Sequence, residues 1–198
     1  MRRNLFRAVC ATLFVGTTAT AVCAASKADS VTACSIAAWT TDKDPNGLNV
    51  RAAAGTDAAV VATLPPPVET EGHSFGAEVS ITGSKDGWFR IEKAVREDYV
   101  GDQKTKVLFE GEGWVTGRFL SLTVNAIDLR RDPSISAPVV TRLIGQDAEG
   151  VGAGPDSFAI ERLEACEGNW VKIKGTFLGS EFNGWTTGTC SNQVTTCP

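Results

Sequence analysis

"LNVRAAAGTDAAVVATL" (48–64) opens like a β-strand at Leu48 and Val50, passes through a small, turn-prone stretch, and returns to apolar residues at Val60, Val61 and Leu64. Moved forward by 79 positions, it lies without a gap on "IDLRRDPSISAPVVTRL" (127–143). Arg51 falls on Arg130, Ala58 on Ala137, Val60 and Val61 on Val139 and Val140, and Leu64 on Leu143. Two further blocks repeat in the same order: "GWFRI" (87–91) with "NWVKI" (169–173), and "GWVTG" (113–117) with "GWTTG" (184–188). Three blocks in register read as a duplicated unit. The first copy is expected over residues 30–124 and the second over 125–198.

Within each copy short apolar stretches alternate with Gly/Asp turns, and no long helical periodicity occurs. Val79 and Ile81 share one face of 77–82, and a new strand starts at Trp88 after Ser84-Lys85-Asp86-Gly87. Gly87, Gly113 and Gly184 each precede a tryptophan and supply the freedom for a sharp turn. The pattern predicts an all-β fold of small barrels or sandwiches. "LPPP" (64–67) reads as a rigid strand stop, since it lacks a P-x-x-P context with flanking basic residues.

The N-terminus has a different character. Arg2, Arg3 and Arg7 precede an apolar run from Ala8 to Val15 and then small residues to Ala25, which reads as a secretory signal peptide over 1–24, cleaved after Ala24 or Ala25. A lipoprotein signal acylating Cys23 is disfavoured by Thr20 and Val22. The apolar run is shorter than the roughly 20 residues of a membrane span, so no span is expected in the mature chain. Removing residues 1–24 takes three arginines and no acids from a 198-residue chain of charge −4, leaving −7 over 174 residues. Such an acidic chain, without a cluster of Lys and Arg, is a poor nucleic-acid binder. Export would place it in the periplasm or outside the cell.

Four cysteines then remain, Cys34, Cys166, Cys190 and Cys197, and an even count in an oxidising compartment reads as two disulfides with three possible pairings. Zinc is disfavoured: no C-x-x-C occurs and His73 is the sole histidine. No metal or cofactor is expected.

The blocks "LNVRAAAGTDAAVVATL", "AEVSITGSKDGWFRI" and "GEGWVTGRFL" resemble a bacterial SH3-type (SH3b) domain: an L-N-V-R strand, a small-residue loop, a V-x-x-L strand, a G-W strand and a final G-W-V hairpin. The second copy departs from that signature at "RDPSISA", at Asn169 and at Thr186. The resemblance implies two small SH3-like β-barrels in tandem, each partly open and five- or six-stranded. Val50, Leu64, Val79, Ile81, Ile91 and Val115 would face inward, and Trp88 and Trp170 would support the core edge. It places Trp114 and Trp185 near the peptide groove of such barrels, as ligand contacts or as partly buried supports. Arg51 and Arg130 would clamp a ligand carboxylate or pair locally. Tyr99 and Phe109 in the insert 93–112, like Phe177 and Phe182 in 174–183, would meet a partner or cap the barrel. The resemblance also suggests pairing Cys166 with Cys190 and Cys34 with Cys197, the rival being Cys34–Cys166 with Cys190–Cys197.

The expected function is that of an exported, non-enzymatic binding module for peptides or peptidoglycan of the cell envelope. The alternatives are a periplasmic adaptor for an envelope protein, using the charged stretch 96–106, and a cell-wall hydrolase. The hydrolase is disfavoured because a cysteine nucleophile needs a histidine base, and His73 lies in a Gly-rich loop.

Overall fold

The computed structural model describes residues 30–70, 72–99 and 104–197, so the signal-peptide reading of residues 1–24 lies outside the described residues. Outside two 3₁₀ turns, Gly117–Phe119 and Pro155–Ser157, every regular element among the described residues is a strand. The first half contributes β1 (Thr32–Thr40), β2 (Leu48–Arg51), β3 (Val60–Leu64), β4 (Val68–Thr70), β5 (His73–Phe75), β6 (Glu78–Lys85), β7 (Trp88–Arg96), β8 (Lys106–Thr116), β9 (Leu120–Ser121) and β10 (Thr123–Val124). The second contributes β11 (Asp128–Arg130), β12 (Val139–Arg142), β13 (Gly145–Gln146), β14 (Gly152–Ala153), β15 (Ala159–Glu167), β16 (Trp170–Phe177), β17 (Ser180–Thr186) and β18 (Thr189–Cys190).

The repeat in the sequence is a repeat in strand order. A seven-stranded antiparallel sheet, curled into a half-barrel, runs β3-β2-β8-β7-β6-β1-β9, and a five-stranded one runs β12-β11-β17-β16-β15. The second order is the first five strands of the first with each strand replaced by its copy. Even the irregularities match, with a register shift at Val50/Arg51 in one hairpin and at Leu129/Arg130 in the other. Each bulge turns an arginine toward the returning strand: Arg51 Nη1 donates to the Ala58 carbonyl at 2.7 Å, and Arg130 Nη1 to the Ala137 carbonyl at 2.9 Å. Two-residue turns set the strand that follows. Asp86 (φ 50°) and Gly87 (φ 77°) close Lys85 onto Trp88, the left-handed pair that matches the twist of a tight hairpin.

β1 has no counterpart in the reading of the sequence. Its small residues, TACSIAAWT, carry little β signal alone, yet Ala38 and Thr40 are buried because β6 and β9 pair with the strand on either side. Val50, Leu64, Val79, Ile81, Ile91 and Val115 are all at most 2 % exposed. They share one cluster with Leu129, Leu143, Leu163, Val171 and Ile173, so the core crosses from one half to the other.

The joint between the halves is close and polar at its centre. Ser84 Oγ accepts from Cys166 N at 2.8 Å and donates to Cys166 O at 3.2 Å, both buried, so the hydroxyl stands in for a neighbouring strand. A Cβ on Gly117 would sit 2.2 Å from the Leu163 carbonyl, so only glycine permits this approach. The disulfides are Cys34–Cys166 and Cys190–Cys197, not the Cys166–Cys190 and Cys34–Cys197 arrangement that the resemblance suggested. The reason is β1. It carries Cys34 to the end of β15, where Gly168 N donates to Ala33 O at 3.0 Å and Ser35 N to Gly168 O at 2.8 Å. Cys190 instead pairs with Thr123 on β10 and bonds to Cys197.

Candidate functional site

On the sheet face opposite Phe89, Trp88, at the head of β7, stays half-buried with Thr116 as its cross-strand partner. Beside it a groove of about 300 Å³ is lined by Asp42, Asp44, Arg51, Trp88, Arg118 and Phe119, among others. A second hollow of about 380 Å³ shares Trp88, Thr116 and Arg118 and continues to Arg162, Leu163 and Glu164 of the second half. Trp88 and Arg118 therefore stand where the two hollows meet.

Local chemistry fixes the walls. Asp44 Oδ1 accepts from Asn46 N at 2.8 Å and Asp42 Oδ1 from Asp44 N at 3.1 Å, holding the β1–β2 loop in Asx turns. Thr116 Oγ1 accepts from Arg118 N at 3.4 Å, opening the 3₁₀ turn, and the Arg118 guanidinium lies 5.5 Å over the Phe119 ring. Glu164 is already engaged by Asn183 at 2.6 Å, Arg162 at 2.8 Å and Lys172 at 3.4 Å. Burial works to raise its pKa, but these partners hold it below the ordinary carboxylate value.

The sequence-derived candidates divide. Trp114 is 5 % exposed and lies outside the main cluster, on the sheet face opposite Val115, with Arg51 and Arg90 as its cross-strand partners. Of the two roles the resemblance implied for it, this burial fits a support and not an exposed ligand contact, since Trp114 sits mid-strand between Arg51 and Arg90. Trp185 is half-buried beside Arg130 and Lys172, and Trp170 is half-buried as well. The guanidinium of Arg51 is spent on Ala58, though its side chain reaches the groove wall, and that of Arg130 is spent on Ala137 and Asp128. Phe109 packs against the core.

Tyr99 is an anchor. Its hydroxyl donates to one oxygen of Glu78, Ser191 donates to the other, and its ring stacks on Phe75 at 5.3 Å between centroids. Burial first, then the Glu78 carboxylate, pushes the phenol well above its ordinary value. A folded-state pKa raised in this way makes a stabilising contribution that is complete below the unfolded value of about 10 and is lost as pH rises through the folded one. Tyr99 is the sole tyrosine, so the phenolate band that grows on ionisation reports it alone, above the pH-independent absorbance of the five tryptophans. The phenolate signal is expected only well above pH 10, together with unfolding; ionisation of folded protein near pH 10 would contradict the contact.

Sequence reasoning missed the groove for two reasons. The small-residue loop "AAAGTDAA" (52–59) shows no site chemistry in the sequence, yet Thr56 lines the groove wall. That reasoning also gave no role to "DKDPNG" (42–47), whose Asp-x-Asp-x-Asn spacing signals Asx turns. His73 is exposed on the β4–β5 hairpin, and no cluster of metal-ligating side chains occurs among the described residues. No helix among them is long and apolar enough to cross a membrane. No protein-family model matches the chain, and no curated protein or solved structure is similar enough to count as a match.

Proposed function

We propose that the chain is an exported, non-enzymatic binding protein built from two SH3b-like barrels, and that its ligand is a peptide, including the peptides of peptidoglycan. The observation that carries this reading is the groove at Trp88, an aromatic floor between charged walls on a rigid β scaffold. Small ligands favour such concave sites with a few placed polar groups. The fold class alone would not define a ligand. The exported setting is supported by the two cysteine pairs, which suit an oxidising compartment.

Co-sedimentation of the purified mature protein with isolated peptidoglycan tests the reading. Pelleting is expected for the parent protein and is expected to be lost in Trp88→Ala, while circular dichroism stays unchanged. If the parent protein stays in the supernatant, wall binding is disproved. If pelleting survives Trp88→Ala but not Trp185→Ala, the ligand face belongs to the second copy.

A further inference from the structure

The arginines differ in what their guanidinium groups touch. Arg90, Arg130, Arg131, Arg142 and Arg162 each have a carboxylate within ion-pair distance, while Arg51 and Arg96 bond to backbone carbonyls at 2.7 and 3.0 Å. Arg118 has neither. Among the described residues its guanidinium meets only the face of Phe119, and it is exposed at the junction of the two hollows. Stacking on a ring fixes the plane of a guanidinium and leaves its N–H edges free, the arrangement that takes a carboxylate through two parallel hydrogen bonds.

The rest of the groove limits what that carboxylate can belong to. Trp88 and Phe119 offer an apolar floor beside Arg118, whereas Asp42 and Asp44 close one end and Asp86 and Glu164 the other. A polyanion would meet these carboxylates and the net negative charge of the chain, but a ligand with one carboxylate and a nearby ammonium group complements both signs.

The second copy cannot repeat the device. When "GWVTGRF" (113–119) is laid on "GWTTGTC" (184–190), Thr189 stands at the place of Arg118 and Cys190 at that of Phe119. Cys190 is tied into the disulfide with Cys197. The second copy instead supplies the far wall of the shared groove through Arg162, Leu163 and Glu164.

We propose that the groove binds a zwitterionic peptide by seating one carboxylate on Arg118 with the adjoining apolar stem on Trp88 and Phe119, at a single site per chain. The proposal rests on the reading of this groove as the ligand face. The probes are the tripeptide Lys-Ala-Ala with a free C-terminal carboxylate and the same peptide as its C-terminal amide, added to the mature protein and followed by heteronuclear NMR. The free acid is expected to shift the Trp88 indole and the Arg118 side-chain signals and to saturate with one equivalent bound. The amide is expected to bind at least about tenfold more weakly, since a charge-assisted hydrogen bond is lost. In Arg118→Ala the two forms should bind alike, and Arg118→Lys should recover only part of the difference.

Equal affinity for acid and amide in the parent protein would overturn the carboxylate assignment. So would the absence of shifts with either peptide. Two equivalents bound would overturn the single site. Loss of peptidoglycan pelleting in Trp88→Ala bears on the broader reading separately, so the two failures are distinguishable.

Discussion

Replacing Cys34 and Cys166 together by alanine is expected to lower stability by about 5 kcal/mol, against about 2.5 kcal/mol for the Cys190/Cys197 pair. The difference follows from loop length. Cys34 and Cys166 are 132 residues apart in sequence and close a loop over most of the described residues, whereas Cys190 and Cys197 are 7 apart. A cross-link removes more freedom from the unfolded chain when the loop is longer, so the first bond is the larger constraint. It also sits at the joint, next to Ser84, whose hydroxyl satisfies both backbone groups of Cys166. With a total stability of about 5–15 kcal/mol for an ordinary domain, the first double variant should be close to unfolding at room temperature. Denaturant titration of the two double variants measures the ranking. Equal losses would contradict the loop-length argument, and a Cys166–Cys190 peptide in a non-reduced digest would contradict the pairing itself.

Trp114→Ala is expected to cost about 3–5 kcal/mol, and Trp88→Ala about 1 kcal/mol or less. The two tryptophans are related by one sheet, with Trp88 opposite Thr116 and Trp114 opposite Arg90. Their exposures differ because Trp114 sits mid-strand in β8 between Arg51 and Arg90, while Trp88 opens β7 directly after the Asp86-Gly87 turn. Truncating the enclosed ring leaves a cavity that flanking strands cannot collapse into; truncating the half-buried one leaves a surface that water can fill. Urea unfolding compared with ligand binding separates the roles. Trp114→Ala should lose stability, and Trp88→Ala should lose pelleting at near-parental stability. A large stability loss in Trp88→Ala would make that ring a structural support and remove it from the binding argument.

The sequence shows how such roles are confused. "GWFRI" and "GWVTG" both set a tryptophan after a glycine, and nothing within either block says whether a neighbouring strand will cover the ring. The repeat at 48–64 and 127–143 was legible because strands in register need the same apolar spacing in both copies, and Leu64 and Leu143 are accordingly both fully buried. For Arg51 and Arg130 the sequence leaves a ligand carboxylate and a local partner both open, and only the bulge in each hairpin brings the guanidinium to a backbone carbonyl.

The all-β class, the duplicated order of strands and the inward residues Val50, Val79, Ile81, Ile91 and Val115 were determined by the sequence itself, because period-two patterning and turn residues act over a few positions. The tertiary structure alone decided β1, the Cys34–Cys166 bond and the groove. β1 is built from small residues whose burial comes from β6 and β9, and Cys34 meets Cys166 because that strand passes the end of β15. The groove joins Asp42, Trp88, Arg118 and Arg162, which are far apart in the chain and share no local pattern. Contacts between distant segments depend on how whole sheets pack, and no short stretch of sequence carries that information.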